Sequence, residues 1–123
     1  MSDLKIMRPS ALIAALVAFA ALFAVAGFPS QVLGDGDTFT HIAAGQWMLA
    51  HRAVLDVDPF SYTFAGRPWQ THEWLSEILF ALAYRAASWR GVMLLTGLAA
   101  GAAGALLAWN AGRWLKGSVL LVA

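Results

Sequence analysis

Six of the seven acidic residues and all three histidines fall between Asp35 and Glu77. Any polar chemistry in this chain is therefore concentrated in one stretch. Its first cluster is Asp35-Gly36-Asp37-Thr38-Phe39-Thr40-His41. Two carboxylates separated by one glycine can bind a divalent cation such as Mg or Mn, because hard cations take carboxylate oxygens. Asp37 and His41 are spaced to share a helix face. The plainer reading of the same residues is a helix cap and a solvated turn.

The second cluster runs from Arg67 through Trp69, His72, Glu73 and Trp74 to Glu77. Glu73 and Glu77 have helical spacing, and negative charge is favoured at a helix start. Ser76 stands where a zinc protease helix requires its second histidine, which excludes that chemistry. The plainer reading here is an interfacial helix start with Trp69 and Trp74 at headgroup depth. There is no glycine-rich phosphate loop and no serine–histidine–aspartate spacing.

The elements that must hold these clusters are apolar. Apolar residues make up 60% of the chain and charged residues 12%, against roughly half and a quarter in ordinary globular chains. A chain of 123 residues cannot bury that much apolar surface within itself, so lipid or a larger protein body must cover the rest. The net charge of +1 excludes a nucleic-acid partner, which needs a basic face. With no cysteine there is no disulfide and no thiolate site.

Residues 11–28 carry no charge. At 1.5 Å per residue they reach about 27 Å, near the hydrocarbon thickness of a bilayer. They read as a first transmembrane helix. The small-x-small triplet Ala24-Val25-Ala26 leaves a signal peptide as the alternative. Residues 29–90 form a loop between spans. Asp37 is positioned to cap a helix over 38–51, with Phe39, Ile42, Ala43, Trp47 and Ala50 on one stripe. Phe60, Tyr62 and Phe64 alternate with Ser61 and Thr63, which predicts a short extended segment. Residues 73–88 read as a helix on the membrane surface, because the apolar run Ile78–Tyr84 is too short to span. The alternative is a tilted span with Glu77 facing a protein interior.

Residues 91–109 are the second uncharged span. Gly97, Gly101 and Gly104 give it a small-residue face for close helix packing. Trp109 and Trp114 are interfacial anchors, with Arg113 and Lys116 beyond. Residues 117–123 turn apolar again, which reads as the start of a third segment and so as part of a longer protein. The fold expected is an all-α membrane module. Two transmembrane helices flank an external loop with two membrane-surface helices and a short extended segment. Lys5, Arg8, Arg113 and Lys116 then lie inside against Arg52, Arg67, Arg85 and Arg90 outside, an even count. The N-terminal cations flanking the first span place the loop outside.

Read together, Gly34-Asp35-Gly36-Asp37-Thr38-Phe39-Thr40-His41-Ile42-Ala43-Ala44-Gly45 after a first span resembles the start of polytopic GT-C type glycosyltransferases. Asp58-Pro59-Phe60-Ser61-Tyr62-Thr63, Gly66-Arg67-Pro68-Trp69 and His72-Glu73-Trp74-Leu75 are similar to a bacterial branch of such membrane proteins. The resemblance covers roughly Pro29 to Tyr84. It implies transfer of a sugar from a polyprenyl-phosphate donor to an acceptor at the outer face of the bacterial inner membrane. It also implies an essential aspartate in the first external loop, acting as general base or cation ligand. Asp35 and Asp37 are the matching positions. His41, Arg67, Trp69, His72 and Glu73 are the candidate substrate-binding residues. The implied partners are membrane lipid, the lipid-linked sugar and the remaining transmembrane helices of a multi-pass parent, with 29–90 on the periplasmic side. Such enzymes have many more spans, so this chain alone is expected to be inactive. The alternative is a non-catalytic membrane module whose external loop binds a partner or glycan.

Overall fold

The computed structural model describes residues 9–28 and 34–114. The expected apolar segment at 117–123 and the cations Lys5, Arg8 and Lys116 lie outside the described residues. The described chain is all-helical: α1 (Pro9–Ala26), α2 (Asp37–His51) and α3 (Trp74–Trp114). It divides into two units, one of residues 1–28 with 96–123 and one of residues 29–95.

In the first unit α1 lies against the C-terminal stretch of α3. Alanine dominates both, and it is the residue that helices accept most readily. The contact is built from small residues. A Cβ at Gly101 would stand 2.9 Å from the Phe19 ring and 3.0 Å from the Phe19 carbonyl oxygen. Gly97 makes the same approach to Phe23, and the two phenylalanine rings stack on each other at 5.8 Å. Ala11 and Ala15 are buried, whereas Ile13, Leu16, Val17, Val25, Leu106 and Leu107 are exposed. Apolar side chains therefore face outward as well as inward. A helix apolar on all sides needs a larger core or lipid around it. Trp74–Gly112 is long and apolar enough to cross a membrane, and Ser10–Ala26 is a shorter apolar helix.

The second unit packs α2 against the N-terminal stretch of α3. Ile42 and Val92 are buried among Phe80, Tyr84, Trp89 and Met93. Ala44, Met48 and Leu55 form a second cluster with Trp47, Trp69 and Ile78. At Gly45 a Cβ would collide with the Glu77 carbonyl and stand 2.8 Å from the Ala81 Cβ. The helices thus meet backbone to backbone, and only glycine fits. This crossing fixes which residues face each other one turn away.

The long run α3 is two helices meeting at a kink, with non-helical backbone at Ala87 (φ −147°, ψ 24°) and Ser88 (φ 54°, ψ −143°), where the sequence ends the helix 73–88 and begins the apolar segment 91–109. Three sequence expectations change. The extended segment at Phe60–Phe64 is not extended. Asp58 Oδ1 accepts from the amides of Phe60 (2.8 Å) and Ser61 (3.0 Å), which bends the chain into turns. An isolated antiparallel bridge joins Val57 to Pro68, and no strand occurs among the described residues. Along α2 the buried positions are Thr38, Ile42, Ala44, Gly45 and Met48. Phe39 and Ala50, assigned to the inner stripe, are exposed. The glycine crossing, not the bulky stripe, sets the inner face. Finally, Asp37 does not cap α2 but is its first residue. Asp35 Oδ1 accepts the Asp37 amide at 3.0 Å, so the carboxylate two residues earlier does that work.

Candidate functional site

The second unit brings three titratable side chains together. His41 lies one turn before Gly45 on α2, and Glu77 is the residue whose backbone Gly45 touches. The imidazole Nδ1 is 3.4 Å from Glu77 Oε1, and Nε2 is 3.5 Å from Glu73 Oε2. The Phe80 ring lies nearly parallel to the imidazole at 6.2 Å. The two carboxylates differ in setting. The Glu73 side chain is 62% exposed and that of Glu77 only 7%, with His41 between them at 29%. Glu77 Oε2 is buried without a hydrogen-bond partner among the described residues. A buried carboxylate oxygen left unpaired is costly, so the single bond at Oε1 carries unusual weight.

This geometry sorts the ring nitrogens. Glu77 is acceptor-only when ionised, so it favours the tautomer with hydrogen on Nδ1. Nε2 faces the exposed Glu73 carboxylate, on the side that a substrate group can reach.

Of the sequence candidates, His41 and Glu73 are brought together. Asp37 is not joined to His41: both ring nitrogens of His41 face glutamates on the other helix. Asp35 and Asp37 are both exposed. Asp35 is engaged as a turn acceptor, and the Asp37 carboxylate has no partner among the described residues. Arg67 lies over the Phe64 ring at 5.6 Å, Trp69 packs into the Leu55 cluster, and His72 is exposed. Glu77 is the member that sequence reading did not place in the site. Its four-residue spacing from Glu73 is the signal, but nothing in the sequence aligns that face with His41.

Among the described residues no group of three or more histidine, cysteine or acidic side chains can hold a metal ion. The His41 nitrogens point to different carboxylates rather than toward a shared centre. Asp35 and Asp37 offer two exposed carboxylates, one already used by an amide, where a hard cation takes about six or more oxygens.

Asp58 holds the connecting loop. The Ser61 hydroxyl, the Ser61 amide and the Phe60 amide all donate to its carboxylate and hold it below the ordinary value, against an opposing effect of burial. Thr71 Oγ1 donates to the Leu55 carbonyl at 2.9 Å, which ties the loop end just before Glu73 to the second hydrophobic cluster. No family model matches the chain, and neither a curated protein nor a solved structure matches it.

Proposed function

We propose that this chain is the N-terminal part of a bacterial GT-C type glycosyltransferase that moves a sugar from a polyprenyl-phosphate donor to an acceptor at the outer face of the inner membrane. On this reading residues 11–28 and 91–109 both span the bilayer, and the 29–90 loop lies on the periplasmic side. The supporting observation is the meeting of the two segments on which the resemblance rests. His41, from the Asp35–Gly45 segment, lies beside Glu73 and Glu77 from the segment after Trp69.

Transfer needs a group that takes a proton from the acceptor hydroxyl while the lipid phosphate leaves. The loop offers two: the exposed Asp37 carboxylate, which the resemblance favours together with Asp35, and His41. The test is reconstitution of the full reading frame containing this chain in proteoliposomes with polyprenyl-phosphate-linked sugars. Transfer of labelled sugar to an acceptor is the expected result. Absence of transfer across a panel of such donors overturns the reading.

One observation favours the alternative, a non-catalytic loop that binds a glycan. Phe60, Tyr62 and Phe64 are exposed with Arg67 beside them, a surface on which sugar rings can stack. Retention of glycan by the intact protein without transfer would establish it.

A further inference from the structure

We infer that His41, held by the buried Glu77, is the group that takes the acceptor's proton, with the acceptor hydroxyl docking at Nε2 beside Glu73. The inference rests on the proposed sugar transfer for the identity of that hydroxyl. The arrangement of the residues stands apart from it. Glu77 and His41 form a carboxylate–imidazole pair. The carboxylate is buried, its Oε1 faces Nδ1 at 3.4 Å, and its other oxygen has no partner among the described residues. The backbone contact at Gly45 holds the pair in register one turn away. The Phe80 ring lies nearly parallel to the imidazole, 6.2 Å away. A buried carboxylate at one ring nitrogen, with the other nitrogen facing only the exposed Glu73 side chain, can hold a histidine as a general base in its reactive tautomer.

The acceptor O–H bond breaks and its proton goes to His41 Nε2. The oxygen's electron pair forms the new bond to the anomeric carbon. The bond from that carbon to the phosphate oxygen breaks, and its electrons leave with the polyprenyl phosphate. The imidazolium produced is flanked by Glu73 and Glu77, which offset its charge. Glu77 is a positioning residue, because it acts through His41. The charged groups facing the imidazole from α3 and its approach are Glu73 and Glu77, and Asp37 lies one turn before it on α2.

Two readouts test this on the full reading frame in lipid nanodiscs. The first is independent of activity. Imidazole ¹⁵N shifts, assigned by comparison with His51→Gln and His72→Gln, should report His41 with hydrogen on Nδ1. Glu77→Gln should move that hydrogen to Nε2, because the amide can donate to Nδ1. Hydrogen on Nε2 in the native protein, or a tautomer that ignores Glu77→Gln, overturns the pair. The second readout is transfer. His41→Gln should lower kcat by about 10²–10⁴-fold with KM little changed, the loss typical of a general base. Glu77→Gln should lower kcat similarly and alter the pH profile, which a purely packing role would not do. Asp56→Asn, at an exposed position away from the cluster, should leave transfer unchanged. If His41→Gln does not fold, the exposed Glu73→Gln supplies the second variant, with a smaller drop in kcat expected. Normal transfer by Glu73→Gln together with hydrogen on Nε2 in the native protein then overturns the inference. Normal transfer by a folded His41→Gln overturns it directly and leaves the glycosyltransferase reading standing. The expected tautomers with no transfer by the native protein sink that reading and, with it, the assignment of the proton's source.

Discussion

The two units hold their helices together by opposite means. In the first, Gly97 and Gly101 let apolar helices touch through Phe19 and Phe23, and polar groups take no part in the contacts named there. In the second, one glycine contact sits beside a histidine, two glutamates and an aspartate-centred loop. Close packing of small residues tolerates an apolar surround, because it needs no water and no charge. A buried carboxylate does not: it demands a partner, and the partner fixes the geometry. The unit built on polar partners can therefore hold a reacting group in place, while the contacts described in the other serve close packing.

The sharpest way to break this comparison is to put the same methyl group into both crossings. Gly45→Ala drives a Cβ into the Glu77 carbonyl, which is backbone and cannot rotate away. A cost of about 3 kcal/mol is expected, at the upper end for overpacking, with displacement of His41 from Glu77. Gly101→Ala meets the Phe19 ring first, which can turn, so about 1 kcal/mol is expected. Denaturant unfolding in micelles measures both. Equal costs would mean that the polar unit is no more sharply specified than the apolar one.

A smaller effect is expected at the break in α3. Ser88, at φ 54° and ψ −143°, occupies a region that favours glycine. Such a residue is strained by about 1–3 kcal/mol. Ser88→Gly should stabilise the second unit by about 1 kcal/mol, since glycine also loses more freedom on folding. Thermal unfolding checks it. A destabilised variant would show that the serine side chain, not the backbone, governs the break.

These contrasts also separate what was legible in the sequence from what was not. The bounds of α1 and α2 and the small-residue face at Gly97 and Gly101 follow from local signals: uncharged runs, turn residues and glycine spacing. The polarity change near Ser88 located the kink between the two helices of α3. The Phe60–Phe64 alternation has a strand's period, yet Asp58 captures two amides of that run and turns it. Side-chain competition for backbone amides is invisible to periodicity. The candidate site was legible in its parts. Its assembly depends on which faces of α2 and α3 meet, and the tertiary crossing at Gly45 decides that.

Asp35 tests how much of the site's position comes from local turn chemistry. Its carboxylate accepts the Asp37 amide at the start of α2. Asp35→Ala should cost about 0.5–1 kcal/mol, in the range of exposed caps at helix starts, and Asp35→Asn should cost less because the amide oxygen still accepts. Amide exchange at Asp37 and Thr38 reads the fraying directly. If both variants leave exchange unchanged, the glycine crossing alone fixes where α2 begins.

The smallest effect is confined to one turn and to acid. Asp58 is held below the ordinary carboxylate value of 3.8 by the Ser61 hydroxyl and the amides of Ser61 and Phe60. The folded value is thus lower than the unfolded one. A group shifted in that direction contributes its full stabilisation above the unfolded value and loses it as pH falls through the folded one. Between pH 5 and 8 the turn should therefore be insensitive to pH. Below about pH 4 it should loosen progressively as the carboxylate is protonated and its acceptor strength falls. The Gly66 and Asp58 amides report this, because Gly66 donates to the Asp58 carbonyl at 2.7 Å and the Asp58 amide donates to the Arg67 carbonyl at 2.8 Å. Their exchange protection should drop in acid in the native protein. In Asp58→Asn it should already be reduced at neutral pH and stay flat in acid. Protection that falls equally in both proteins would assign the acid sensitivity to another group, and Asp58 would then be only a steric element of the turn. In the first unit no described residue between Pro9 and Phe28 is ionisable. Amides there should keep their protection across the same range, which makes that helix the internal reference for the measurement.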